Sequence, residues 1–143
     1  EEGRAFAEVK PANVRKLYIP FANDLKQEQL SILYDYMEVL RDKSTTHLDE
    51  IITNSFIGDY FEQIIDGCIY ELFFRDHMRE REINIMDYLN EYLIKIDDLN
   101  SIDKNEIILS VFNKLYKTDN PVRTRLNLFV SRSPEFLKPI IQH

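Results

Sequence analysis

Glycine and proline are scarce in this sequence, with three glycines and five prolines among 143 residues. Few turns are therefore encoded, which favours long helices over many short strands. Three glycines are also too few for the usual glycine-rich loop that holds a nucleotide phosphate. Neither the G-x-x-x-x-G-K-[ST] pattern nor the G-x-G-x-x-G pattern occurs. The composition predicts a mainly α-helical chain without a nucleotide site of the common kinds.

Cysteine and long apolar runs are equally scarce. The single cysteine, Cys68, cannot form an internal disulfide, so nothing indicates an oxidising compartment. No apolar run approaches the ~20 residues that a membrane helix needs, and the start does not resemble a signal peptide. We therefore expect a soluble, cytoplasmic protein. The first residue is Glu1 rather than methionine, which fits a trimmed tag, omitted residues or a piece of a longer chain.

Positive charge is in the minority. The 25 acidic residues outnumber the 18 lysines and arginines, and the net charge is −7. A surface that binds DNA usually carries clustered lysine and arginine, because these displace counterions from the phosphates. If this chain contacts nucleic acid, we expect a local basic patch or an accessory role beside another domain.

Residues 1–22 differ in pattern from the rest of the chain. Residues 5–10 and 17–20 read as short extended segments around a turn, and Pro20 keeps Ile19 out of the helical region. Two such strands are not stable without a larger sheet. We interpret residues 1–22 as the β or extended tail of an upstream recognition domain, followed by a C-terminal helical domain over residues 23–143.

Helical periodicity begins at Asn23. It predicts a bundle of four to five helices, the second of which is central because its apolar face is wide. Gly67 lies inside that helix, where close packing is the expected reason for it. Asn23 or Asp24 can cap the first helix, with Gln27 where a capping-box partner would lie, and Asp103 with Glu106 is a second candidate. The apolar residues that define the predicted helices span residues 30–40, 56–73, 85–96, 107–116 and 122–132, followed by a short closing turn over residues 134–141.

Side chains capable of catalysis or metal binding are few and scattered. The three histidines lie about 30 or more residues apart, without metal-ligand spacing. Cys68 falls on the apolar face of the second helix, as a buried small hydrophobe does. Glu8 and Lys10 match half of a nuclease motif, which alternation along a strand also explains. We predict no catalytic, cofactor-binding or metal-binding residue in this chain. The histidines are His47, His77 and His143.

Basic residues form three groups. Lys10, Arg15 and Lys16 are the best candidates for contacts with DNA phosphates, since lysine and arginine side chains suit them. A rear group could contact phosphates in the same way. A third group is interleaved with acids and reads as a solvated helical face. An ordinary solvated surface remains the more common explanation for each group. The rear group is Arg123, Arg125 and Arg132, and the third group is Arg75, Arg79 and Arg81.

Several stretches resemble, in order, one protein family. Residues 8–11 with 17–20 look like the strand and L-P-I-P exit of a DNA target-recognition domain, although Tyr18 stands where that family has proline. Residues 61–74, which include Ile65-Asp66 and Tyr70-Glu71-Leu72, are similar to its "ID-x-x-V-Y-E-L-Y-F" helix. Residues 119–123 resemble its "NPIR" turn, and residues 133–141 its C-terminal end. The family is the bacterial TaqI-like adenine-N6 DNA methyltransferases of type IIG restriction–modification systems.

This resemblance implies a post-catalytic piece of a larger enzyme. In such proteins a catalytic domain binds S-adenosylmethionine and flips an adenine into an N-P-P-[YF] site, with Mg²⁺ where a nuclease is also present. This chain contains no N-P-P-[YF], so no catalytic residue of the family transfers to it. The implied role is an accessory domain that supports target recognition through DNA bound by the parent, or docks on the parent's other domains. The competing hypothesis is a helical protein-interaction or dimerisation module.

Overall fold

The computed structural model describes residues 22–142, which form eight helices and no strand. The prediction of a mainly α-helical fold is confirmed for this part of the chain. The predicted strands of the tail fall on residues 1–21, outside the described residues. The helices are α1 (Asp24–Arg41), α2 (Asn54–Phe73), α3 (Arg75–Glu80), α4 (Met86–Leu89), α5 (Ser101–Leu115), α6 (Pro121–Asn127), α7 (Phe129–Arg132) and α8 (Leu137–Ile141).

The three long helices and α6 begin at side-chain caps. The side chain of Asn23 accepts the N–H of Lys26 at 2.9 Å, and Thr53 caps α2 in the same manner. The first turn of α1 therefore has Lys26 where a capping box would place the predicted Gln27. Asn100, rather than the predicted Asp103, caps α5. Its Oδ1 accepts the N–H of Asp103 at 2.8 Å, so this helix begins three residues earlier than the sequence suggested.

The core is built around α2, as predicted. Helix α1 packs along α2, and the Tyr36 and Phe61 rings meet edge to face with centroids 5.3 Å apart. Helix α5 adds Phe112, whose ring lies 5.8 Å from that of Tyr60. Gly67 is required by packing, because a Cβ there would lie 2.8 Å from Cδ1 of Ile85 and 3.1 Å from the Phe129 ring. The expectation of close packing at Gly67 is confirmed.

The predicted third helix is wrong in extent. Its apolar spacing runs over residues 85–96, yet only Met86–Leu89 is helical. Beyond it the hydroxyl of Tyr36 donates to the carbonyl of Ile94 at 2.6 Å and accepts the N–H of Ile94 at 2.8 Å. A long-range side chain thus binds backbone groups that a helix would have paired internally.

The C-terminal part is also more divided than predicted. The helix expected over residues 122–132 is interrupted at Leu128, which separates α6 from α7. The predicted closing turn contains one helical turn, α8. No helix within residues 22–142 is long and apolar enough to cross a membrane.

Candidate functional site

One face of α2 carries three acidic side chains. Asp59, Glu62 and Asp66 are spaced by three and four residues, which places them on the same side of a helix. A single arginine, Arg41 at the end of α1, lies 3.0 Å from Asp59 and 3.1 Å from Glu62. Asp66 has no ion pair or hydrogen bond within the described part of the chain. The third acid of this face is therefore left without a counterion.

Asp66 lies in a cleft of about 360 Å³ between α2 and the three C-terminal helices. A cleft of this size can hold a large side chain or a small ligand. Its polar groups, besides Asp66, are the amides of Gln63 and Asn127 and the phenol of Tyr70. Its apolar lining consists of Leu126, Phe129, Val130, Ile140 and Ile141.

The cleft perturbs the Asp66 carboxyl. Burial, together with the negative charge of Glu62, raises the pKa of Asp66 to about 7. Desolvation disfavours the ionised form, and a neighbouring like charge acts in the same direction. Near neutral pH this group is therefore poised between its two protonation states. It can take up a proton, or it can pair with a cation brought into the cleft.

A second buried acid, Glu71, has a structural task. Its Oε1 accepts the backbone N–H groups of Ile85 at 2.5 Å and Met86 at 3.1 Å, and so holds the start of α4. Gln29 of α1 donates from Nε2 to the carbonyl of Met86 at 2.8 Å. Burial raises the pKa of Glu71, and the two N–H donors oppose that rise. This polar node joins α1, α2 and α4.

A buried serine and a partly buried histidine meet in the C-terminal part. Nε2 of His77 lies 2.6 Å from Oγ of Ser133. The same oxygen accepts the N–H of Leu137 at 3.1 Å. Ser133 is only 1% exposed. Burial and the charge of Arg81 lower the pKa of His77.

The three rear arginines contact the protein's own backbone. Arg123 donates to the carbonyl of Tyr116 and lies 3.9 Å from the centre of that ring. Arg125 donates to the carbonyl and side chain of Asn84 and to the Tyr88 hydroxyl. Arg132 donates to the carbonyl of Arg81 at 3.2 Å. These guanidinium groups stabilise the C-terminal helices, which weakens the hypothesis that they face DNA phosphates.

The turn resembling "NPIR" is a structural clasp. Asn120 caps α6 through Oδ1, which accepts the N–H of Val122, and donates from Nδ2 to the carbonyl of Lys114 at 3.0 Å. Pro121 occupies the first position of α6, where its lack of an N–H costs nothing. With Arg123 on Tyr116, this turn connects α6 to the end of α5.

The remaining predicted site residues are widely separated. Lys10, Arg15 and Lys16, the candidates for phosphate contact, lie outside the described residues, as does His143. Cys68 is fully buried, and burial raises the pKa of its thiol well above the ordinary value. Within residues 22–142, no three histidine, cysteine or acidic side chains are grouped as metal ligands.

Sequence reasoning placed Asp66 and Glu71 within a motif but did not see what they do. A signal for them existed, because an acid within a wide apolar helical face is costly to bury unless it has a partner. Glu71 finds its partners in the backbone N–H groups of Ile85 and Met86, whereas Asp66 finds none among the described residues, and spacing alone reveals neither outcome. Ser133, near the predicted closing turn, gave no comparable signal.

Comparisons with protein-family models, with curated proteins and with solved structures gave no match to this chain. A function for the cleft must therefore follow from the chemistry of its own residues.

Proposed function

We propose that this chain is the non-catalytic, C-terminal helical accessory domain of a DNA adenine-N6 methyltransferase of the type IIG restriction–modification class. In this role it supports DNA target recognition by a parent enzyme that binds S-adenosylmethionine. The parent acts in the bacterial cytoplasm, where its DNA is, and a nuclease part of the parent would use Mg²⁺.

The observation that supports this proposal is the position of the residues that carry the resemblance. Residues 61–73 of the first similar segment form most of the central helix α2. Within it Gly67 permits close packing and Glu71 holds α4. Asn120 and Arg123 of the second similar segment form the clasp between α5 and α6. A pattern used for framework and packing is typical of a supporting domain, since the chemistry of such enzymes lies in a separate catalytic domain.

The reactive side chains of the described residues also favour an accessory role. The Cys68 thiol is buried and its pKa is raised, so little thiolate is present for nucleophilic attack. The hydroxyl of Ser133 is bound to His77 and to the N–H of Leu137. We place S-adenosylmethionine and the methyl transfer in the parent's catalytic domain, upstream of this chain.

DNA binding by the complete chain tests the proposed contacts of Lys10, Arg15 and Lys16 with phosphates. Fluorescence anisotropy with a labelled duplex, measured over a series of salt concentrations, should show weak and salt-dependent binding. Replacing these three basic residues with glutamine should reduce the slope of the logarithm of the binding constant against the logarithm of the salt concentration by about 0.9 per lost contact.

The matched control is glutamine at Lys104, Lys114 and Lys117, which removes the same charge from α5 and the residues after it. This control should leave the slope nearly unchanged. An equal loss in both triple variants would mean that overall charge alone drives the binding, and would refute the assigned contacts. No salt-dependent binding by the unaltered chain would refute a direct role in holding DNA.

The second candidate function is a protein-interaction or dimerisation module, and one feature favours it. Ile51 is 91% exposed on the loop between α1 and α2, beside the half-exposed ring of Phe56. These residues line an apolar hollow of about 320 Å³ together with Tyr116. Light scattering over a range of concentrations decides whether the hollow mediates dimerisation. A dimer that Ile51→Asp abolishes would support this module, and a monomer at all concentrations would contradict dimerisation.

A further inference from the structure

We propose that the Asp66 cleft is a docking site for one basic side chain, arginine or lysine, presented by a partner polypeptide between apolar residues. This inference does not rest on the proposed function, because a basic side chain from any polypeptide could enter the same cleft.

One acid of α2, Asp66, has no cation beside it among the described residues. Arg41 reaches Asp59 and Glu62, which lie two turns and one turn before Asp66. No lysine or arginine of the described part of the chain lines the cleft. Asp66 thus occupies a position where a carboxylate is partly desolvated, next to a like charge and without a counterion. An incoming guanidinium or ammonium group would relieve both effects.

The apolar walls of the cleft suit the aliphatic stem of an arginine or lysine side chain. Arginine and lysine bury a flexible aliphatic stem along apolar surface and keep the charge at a polar end. Leu126, Phe129 and Val130 provide the apolar surface, and the amides of Gln63 and Asn127 provide oxygens that can accept N–H groups. Ile141, which is partly exposed at this cleft, can contact an apolar residue that flanks the basic one.

The same features argue against other occupants. A nucleic-acid phosphate would meet the negative charges of Asp66 and Glu62, which repel it. A divalent metal ion prefers several oxygen ligands, and among residues 22–142 Asp66 is the only carboxylate that lines the cleft. A basic residue flanked by apolar residues would pair with the Asp66 carboxylate and pack against the apolar lining of the cleft. The favoured partner is therefore a polypeptide.

Proton release should accompany docking. The pKa of Asp66 is about 7 in the free protein, so much of the carboxyl is protonated at pH 6 to 7. A bound cation favours the ionised form and lowers this pKa. Affinity for a basic side chain should therefore increase as the pH rises through about 7, whereas affinity for a neutral side chain of similar shape should not.

The test uses the complete chain and two short capped peptides. One has the sequence Leu-Arg-Leu, and the other has citrulline, a neutral isostere, in place of arginine. Binding is followed by nuclear magnetic resonance of the backbone amides at pH 6 and pH 8. We expect chemical-shift changes at the amides of Gln63, Asn127 and Ile141. At pH 8 the arginine peptide should bind about tenfold more tightly than the citrulline peptide.

Two matched variants assign the effect. Asp66→Asn keeps the shape of the side chain and removes its charge, so it should reduce the preference for arginine to less than about twofold. Asp59→Asn removes an equal charge from the same face and should retain the full preference. A separate melting curve establishes that Asp66→Asn is folded.

Three results would overturn the proposal. The first is equal binding of the arginine and citrulline peptides, which would leave only an apolar groove. The second is an arginine preference that survives in folded Asp66→Asn, and the third is a set of shifts that maps away from the cleft, or no shifts. None of these results affects the DNA-binding test with Lys10, Arg15 and Lys16, so failure of one proposal can be told from failure of the other.

Discussion

The hydroxyl of Tyr36, in the middle of α1, makes two hydrogen bonds to the backbone of Ile94 and holds the irregular segment after α4 against the helix pair. The oxygen donates at 2.6 Å and accepts at 2.8 Å. Burial raises the pKa of this phenol to about 12, so it stays protonated and able to donate. A single side chain thus replaces two backbone hydrogen bonds that a helix would have formed.

Tyr36→Phe should therefore lower the free energy of unfolding by about 1–3 kcal/mol, since it removes the partner of two backbone groups without emptying the core. Urea denaturation measures this loss. Tyr92→Phe is the control, because Tyr92 is only partly buried, and it should change the stability by less than about 0.5 kcal/mol. Equal stability of the two variants would show that the Tyr36 hydroxyl contributes little.

Asp66 gives the protein a pH-dependent stability. The pKa of this carboxyl is about 7 in the folded chain, against an ordinary value of 3.8. The folded state therefore binds the proton more tightly. The stabilisation that proton binding to Asp66 adds to the free energy of unfolding is fully present below pH 3.8. It is lost as the pH rises through about 7. An amide at this position would not ionise, so Asp66→Asn should be more stable than the natural protein at pH 8, by about 1–3 kcal/mol.

The measurement is urea denaturation of both proteins from about pH 4 to pH 8. The advantage of Asp66→Asn should shrink towards zero at the acid end. Asp59→Asn, at a side chain that is 70% exposed and paired with Arg41, should show no such trend. A constant difference between Asp66→Asn and the natural protein over the whole range would contradict the raised pKa.

Alanine substitutions at Gly58 and Gly67, both in α2, distinguish the effect of core packing from that of helix propensity. Either change to alanine gains about 1 kcal/mol of propensity. At Gly58 the new Cβ would meet the guanidinium of Arg41 at 3.0 Å, which is the end of a flexible and partly exposed side chain. At Gly67 it would meet both Ile85 and the ring of Phe129 in the core.

Gly67→Ala should therefore be less stable than Gly58→Ala by about 1–3 kcal/mol, the usual cost of overpacking. Thermal denaturation of the two variants measures the difference directly. If both variants gained stability to the same extent, the close approach of Ile85 and α7 to Gly67 would be refuted.

We expect Glu71 to stabilise the fold through the hydrogen bonds that its Oε1 accepts and not through its negative charge. Glu71→Gln keeps an acceptor for the N–H groups of Ile85 and Met86, whereas Glu71→Ala leaves both without a partner. We expect the alanine variant to be less stable than the glutamine variant by about 1–3 kcal/mol in urea denaturation at pH 7. Equal losses would indicate that the hydrogen bonds at the start of α4 contribute nothing.

Ile65 tests the placement of the core. It is almost fully buried on α2, so Ile65→Asp buries an unpaired charge and should unfold the chain. Ile102, near the start of α5, is 71% exposed, and Ile102→Asp should leave the melting temperature nearly unchanged. Circular dichroism melts distinguish the two outcomes. An unchanged melt for Ile65→Asp would sink the assignment of α2 to the centre of the fold.

The sequence predicted the long helices because their apolar spacing is local. Asn23, the buried face of α2 and the turn at Asn120 all depend on residues within a few positions of one another. The segment after Leu89 was predicted wrongly, since its apolar spacing is helical but its backbone binds Tyr36 from α1. Local pattern cannot anticipate a partner that lies 58 residues away.

The cleft could be predicted only in part. The acids of α2 can be read from the sequence, and so can their shared face. That Arg41 serves Asp59 and Glu62 but not Asp66 depends on how α1 ends beside α2. The walls require α6, α7 and α8 to fold back onto α2. Periodicity indicated a helix over residues 122–132, but neither its break at Leu128 nor its packing against α2.

The hydrogen bonds of Gln29 and Glu71 to the backbone at the start of α4 couple the local unfolding of α4 to that of α1 and α2. Helix α4 has four residues, too few for an isolated helix to persist in water. Its first residue is held by a side chain 57 residues earlier and by another 15 residues earlier. This turn can exist only once α1 and α2 have docked. Its amide hydrogens should therefore exchange with solvent at the rate of those of α1, as members of one cooperative unit and not of a loop that frays by itself.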